Sequence, residues 1–227
     1  VSEILNILFG QAKQDANYRI IWKIRLPRVL MAALLGGALS LSGFLLQTFF
    51  AKPVAGPFVL GLSSGAKMVV ALPMIVFLKY FSRVSSYTLI IAAFIGSLIA
   101  TGFILLMSRK INHMATLLVA GIMIGYICSA VTDFVVTFAE DSDIVNLHGW
   151  SQGSFSGMSW SNVKVAFVLI AVTVVITFLY SKPIGAYQLG EAYARSAGVN
   201  IRVFRVLLIL LSSMLSGCVT AFAGPVS

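Results

Sequence analysis

Charge is scarce in this sequence. Only 10% of its 227 residues are Asp, Glu, Lys or Arg, where soluble domains carry roughly 25%. Val84–Ser108, Met114–Thr132, Val165–Ser181 and Val206–Ser227 have no charge, and Pro27–Phe50 has only Arg28, near its start. Each run approaches or exceeds the length needed to cross a hydrocarbon core as a helix, about 17–25 residues. Cysteine is scarce too: Cys128 and Cys218 both lie inside apolar runs, which argues against a disulfide framework and makes them small packing residues. His113 and His148 lack the spacing of a metal pair, so no metal is assigned. There is no phosphate-cradling Walker A sequence, so ATP hydrolysis is not expected of this chain. Ser63-Ser64-Gly65 and Gly153-Ser154 have no suitably placed His, which argues against a serine hydrolase.

What is present is apolar. Hydrophobic residues make up 59% of the chain and the mean hydropathy is +0.98. The fold class is all-α, a polytopic transmembrane helical bundle. The net charge of +9 does not indicate nucleic acid, because the basic residues are strung through loops and no nucleic-acid motif accompanies them. Six spans are expected: Pro27–Phe50, about Ser63–Tyr80 within Pro53–Leu78, Val84–Ser108, His113–Phe138, Ser161–Tyr180, and from about Arg202 onward. Pro27 suits a helix start, and Pro73 implies a kink in the second span. Tyr18, Trp22, Tyr80, Trp150, Trp160 and Tyr180 fall at span ends, where amphipathic rings sit at headgroup level. Small residues let helices approach closely in lipid. Gly121 with Gly125, Gly96 with Ala100, and Ser213 with Gly217 are candidate contacts, and Gly36–Gly43 places the first span centrally. Generic tight packing is the alternative for each. Basic residues divide almost evenly between the two sides, so the positive-inside rule does not orient the chain.

Three stretches, in order, resemble one family. They are Arg25–Ala66, containing RLPRVLMAALLGGALSLSG and AKPVAGPFVLGLSSGA; Gly149–Trp160, GWSQGSFSGMSW; and Leu189–Asn200, LGEAYARSAGVN. The pattern is similar to FecCD-type permeases, the membrane subunits of type II ABC importers for siderophores, haem and cobalamin. The resemblance implies a fold of roughly ten spans, of which this chain corresponds to the second through the seventh. It implies one permease domain over residues 1–227, truncated at both ends, with 1–24 an extracytoplasmic loop and 181–205 a cytoplasmic coupling region. It also implies a bacterial cytoplasmic membrane location, a second permease copy (identical or paired), two ATP-binding subunits that use the ATP, and an extracytoplasmic substrate-binding protein. No cofactor is expected on this chain.

Site residues follow from the same resemblance. Arg25 and Arg28 would dock acidic residues of the binding protein, a role that fits electrostatic steering; interfacial snorkelling is the alternative. Gly43, Gln47, Pro53, Gly61, Ser64 and Gly65 would belong to the translocation path, although Gln47 also suits an interhelical hydrogen bond. Lys52 and Val54 depart from the family's Asn-Pro-Leu-Ala, and Lys67 is unusual. Leu189, Gly190, Glu191, Arg195 and Gly198 would couple to the ATPase, with Glu191 and Arg195 one helical turn apart; a solvated loop helix is the alternative. Asp133 near a span end reads as interfacial, and Glu140–Asp143 as an outer loop. From another class, an ion-coupled secondary transporter is the rival, although midplane carboxylates and inverted repeats are not evident.

Overall fold

In the computed structural model the described residues are 16–51, 56, 60–77, 86–111 and 114–225. They form ten α-helices and two π-helical turns, with no strand among them. Helix α1 (Ala16–Ile20) runs through a π-turn (Ile21–Arg25) directly into α2 (Leu26–Phe50), so the loop expected over residues 1–24 is helical from Ala16 on. α3 (Leu62–Leu72) continues into a second π-turn (Pro73–Phe77). There follow α4 (Ser86–Lys110), α5 (Met114–Val136), α6 (Asp141–Ser151), α7 (Trp160–Leu179), α8 (Ser181–Gln188), α9 (Glu191–Ser196) and α10 (Ile201–Ala223).

Among the described residues five helices are long and apolar enough to cross a membrane: Tyr18–Phe50, Tyr87–Ser108, Ala115–Val136, Trp160–Leu179 and Ile201–Ala223. The expected second span is represented by the shorter Leu62–Ile75. It begins where expected, the expected end at Tyr80 lies outside the described residues, and the start is fixed by packing. A Cβ on Gly61 would sit 2.8 Å from the Cα of Gly125, and one on Gly121 would sit 2.8 Å from a Leu60 methyl. Gly121 and Gly125 lie about 10–16 Å along α5 from its first residue at 1.5 Å rise per residue. The chain therefore enters the bundle before α3 begins. Leu60 and Leu62 are each 1% exposed, so this non-helical backbone is enclosed by protein, the condition under which it is tolerated at membrane depth.

The GxxxG pair is thus the seat of the α3 entrance. Gly96 on α4 likewise meets the backbone of Gly65 and Ala66, and Gly217 on α10 meets the Ser97 side chain. The stretch Gly36–Gly43 behaves differently. A Cβ added at Gly36, Gly37 or Gly43 would meet nothing within 4 Å; the internal contacts of this stretch come from Ala38, buried in the core, and from Ser42, whose hydroxyl is 2.8 Å from that of Ser212. The central helix of the described bundle is α10, not α2. In α10, 72% of the most apolar window is buried, against 33% for the helix containing α2. α10 packs along both α2 and α4 and touches α3 and α7.

The acidic segment is also more ordered than a loop. Glu140 is the N-cap of α6, and Asp141 and Asp143 fill its first turn, where carboxylates complement the positive end of the helix dipole.

Candidate functional site

The bundle has two rims, one where α2 begins and one where it ends about 37 Å away by helical rise. At the first rim, the π-turn sets up the local chemistry. The Leu26 N–H bonds the Ile21 carbonyl, and Pro27 has no N–H to offer five residues beyond Trp22. The Trp22 carbonyl instead accepts from Trp160 Nε1 at 2.8 Å, and the Trp22 and Trp160 rings stack with centroids 6.3 Å apart. Arg28 Nη2 donates to the Ser156 carbonyl at 2.7 Å, and Ser154 N–H donates to the Ala223 carbonyl at 2.8 Å. The connection 152–159 is therefore held by α2, the π-turn and the end of α10. Gly224 closes this corner at φ +81, with room for no side chain: its Cβ would lie 2.6 Å from the Trp150 carbonyl oxygen. Arg25 is exposed. The two arginines of the motif thus differ, one open and one engaged with backbone.

At the second rim, α8 and α9 form a short helical pair between α7 and α10. Gly190 (φ +124) and Gly198 (φ +85) bracket α9. Arg195 Nη2 reaches Glu191 Oε1 at 3.2 Å, as the one-turn spacing predicted, and Arg205 Nη2 on α10 reaches Oε2 at 2.7 Å. Arg205 Nε also donates to the Tyr187 hydroxyl at 3.4 Å. Gln188 Nε2 donates to Thr48 Oγ1 at 3.2 Å, joining α8 to the end of α2. Beneath the pair, Ile184, Tyr187, Ala194, Ile201 and Phe204 are buried in the main core. On its outer surface Leu189 is 72% and Tyr193 54% exposed.

A cavity of about 480 Å³ opens between α2 and this pair, lined by Phe44, Gln47, Thr48, Tyr187, Gln188, Glu191 and Arg205 among others. Of the residues expected on the path, Gln47 lines this cavity, and Gly43 lies on the same helix, half-buried with no close neighbour. Gly61, Ser64 and Gly65 are brought together elsewhere, as packing positions: Gly61 and Ser64 face Gly125, and Gly65 faces Gly96 and Ala100. Pro53, together with Lys52, Val54 and His113, lies outside the described residues. Lys67 is half-buried on α3, and Asp133 is exposed in the last turn of α5. Among the described residues no three His, Cys, Asp or Glu side chains gather to hold a metal.

Sequence reasoning singled out no role for Arg205, Tyr187, Thr48 or Ser156. Arg205 pairs across 14 residues and Arg28 across 128, separations that leave no local signature. The aromatic residues Trp22 and Trp160 were legible as rim residues, but the orphaned carbonyl between them follows only from the π-turn.

The chain matches the FecCD transport family over residues 1–227. It is 36% identical over 218 residues to the hemin transport system permease protein HmuU of Yersinia pestis, covering 96% of this chain and 65% of that protein. It is 35% identical over 206 residues to the vitamin B12 import system permease protein BtuC of Salmonella typhi, covering 91% of this chain and 62% of that protein. The chain thus spans less than two thirds of the length of either relative. Among solved structures, a metal-chelate type ABC transporter in an inward-facing conformation superposes with a TM-score of 0.84 at 23% identity, covering 100% of this chain and 77% of that one. That likeness is one of fold.

Proposed function

Because the chain belongs to the FecCD transport family, we propose that it forms the main part of the permease subunit of an ATP-driven importer for a metal chelate of the siderophore, haem or cobalamin kind. It is a multi-pass protein of the bacterial cytoplasmic membrane. The single observation that carries the transport mechanism is the α8–α9 pair, which offers Leu189 and Tyr193 outward while its inner face is fixed to α10 and α2. An exposed apolar surface on a rigidly held protrusion suits docking of a second protein. The occupant of this reading is an ATP-binding subunit, with the residues Leu189, Gly190, Glu191, Arg195 and Gly198 forming the coupling region. That rim is then cytoplasmic, and the rim of Arg25 and Arg28 extracytoplasmic.

At the extracytoplasmic rim the exposed Arg25 supplies the positive charge that steers an acidic binding protein, while Arg28 holds the 152–159 connection against which that protein settles. Exposed charge pairs contribute about 0–1 kcal/mol each, so their gain lies in encounter rate and register. Gln47 and Gly43 face the path, and Gly61, Ser64 and Gly65 hold α3 in place beside it. A second permease copy completes the path, and two ATP-binding subunits supply hydrolysis. The relatives' substrates, hemin and vitamin B12, point to a bulky ring-shaped chelate as cargo.

An ion-coupled carrier usually places polar or charged groups at the membrane midplane. Asp133, the carboxylate closest to a span interior among the described residues, is exposed in the last turn of α5. The test is uptake by proteoliposomes containing the full-length protein and its partner ATPase. Uptake that requires internal or external ATP on the α9 side supports the reading, and uptake driven by an ion gradient without ATP overturns it.

A further inference from the structure

We infer that Arg205 is a positioning residue that makes the α8–α9 pair move with α10 as one body, with Glu191 as its anchor. The inference rests on the permease reading above, in which this pair meets an ATP-binding subunit.

Glu191 has both carboxylate oxygens occupied within the chain, Oε1 by Arg195 and Oε2 by Arg205. The two arms are unequal. Arg195 has a side chain 73% exposed and stands on the same short helix, so it adds little to how α9 sits on the bundle. Arg205 is 20% exposed, stands in the second turn of α10, and makes the shorter contact. Its fork is also shared: Nη2 goes to α9 through Glu191, and Nε goes to α8 through the Tyr187 hydroxyl. A planar guanidinium with several fixed donors suits this double engagement, which a lysine ammonium cannot reproduce. The Tyr187 ring in turn packs on Phe204, one residue before Arg205, with centroids 5.3 Å apart.

The connections around the pair need such a tie. α9 has only six residues and is flanked by Gly190 and Gly198, both at positive φ, so the backbone on either side is a natural pivot. Without a side-chain tie, force on the exposed Leu189–Tyr193 surface would turn α9 about these glycines. With it, force passes to α10, the most buried helix of the bundle. With both oxygens engaged inside the chain, Glu191 serves as an internal anchor, and the exposed side chains of Leu189 and Tyr193 supply the recognition surface.

The experiment uses the complete importer, full-length permease with its ATPase and binding protein, in proteoliposomes. Wild type, Arg205→Gln, Arg205→Lys, Tyr187→Phe and the exchanged pair Glu191→Arg/Arg205→Glu are compared for ATP hydrolysed per substrate taken up. Co-purification of the ATPase subunit reports assembly. Arg205→Gln is expected to raise the ratio about fivefold, the lower end of typical coupling between sites, with the ATPase still co-purifying. Arg205→Lys and Tyr187→Phe should fall between it and wild type, and the exchanged pair should restore the ratio at least in part. If Arg205→Gln assembles and leaves the ratio unchanged, the inference is wrong. It is also wrong if the exchanged pair assembles and shows no recovery, because Glu191 then serves the partner. If Arg205→Gln fails to assemble, the intermediate variants and the exchanged pair decide in the same way. Absence of ATP-dependent uptake in wild type would instead remove the permease reading itself.

Discussion

The two rims of this bundle are fastened by different chemistry. At the rim of Arg28, the connection 152–159 is held through main-chain carbonyls: Ser156 accepts from Arg28, Trp22 accepts from Trp160, and Ala223 accepts from Ser154. At the rim of Glu191, the helical pair is held by one carboxylate between two guanidiniums, with a tyrosine hydroxyl and an amide beside it. The first arrangement depends on backbone geometry, the second on side-chain charge. A rim that must offer a fixed surface to a partner gains from the former. A rim that must transmit movement gains from ties that hold one element to another while the backbone between them stays free to pivot.

The comparison can be tested most severely at Gly224. Its positive φ and the 2.6 Å approach to the Trp150 carbonyl leave no place for a side chain, so Gly224→Val is expected to cost about 2–4 kcal/mol. A fall in the thermal unfolding midpoint of the detergent-solubilised protein would show this, and an unchanged midpoint would mean the corner is not held as described. The second-largest effect is at the other rim. Arg205→Ala removes a charge-assisted hydrogen bond, worth about 1–2 kcal/mol after allowance for the exposure of Glu191. Amide hydrogen exchange should quicken across 190–198 and stay unchanged across 152–158. Raising salt in wild type should move the same region in the same direction, because ion pairs are screened.

Arg28→Ala is expected to reverse that regional pattern. Loss of its hydrogen bond to Ser156 should cost about 1 kcal/mol at this exposed site, with faster exchange across 152–158 only. Arg195→Ala has the smallest effect, about 0.3–0.5 kcal/mol as an exposed pair one turn apart. If it loosened α9 as much as Arg205→Ala does, the inequality of the two arms would be lost.

Much of this arrangement was legible in the sequence because it is local. Uncharged runs marked five of the membrane helices within a few residues, and Glu191 with Arg195 followed from helical spacing. Gly121 and Gly125 were readable as a close-contact pair, though not what they contact. The departures arise where distant residues decide. α3 begins at Leu62, as expected, but no pattern within Pro53–Leu78 records that Leu60 and Gly61 lie against α5. α10 rather than α2 is central because five other helices pack around it and bury most of its length. The acids of Glu140–Asp143, read as an outer loop, form the start of α6, where carboxylates suit the first turn. Arg205 was visible only as one basic residue among many, since its partners are 14 and 18 residues away.

The central claim is that the Leu189–Tyr193 surface faces an ATP-binding subunit while the Arg25 and Ser156 surface faces a substrate-binding protein. Site-directed cross-linking tests it most directly, and the native Cys128 and Cys218 are both buried, which favours reaction at introduced thiols. In the assembled full-length importer, Leu189→Cys is expected to cross-link to the ATPase subunit and Ser156→Cys to the binding protein. Cross-links to the opposite partners, or to neither from a complex shown to be intact, would contradict the account.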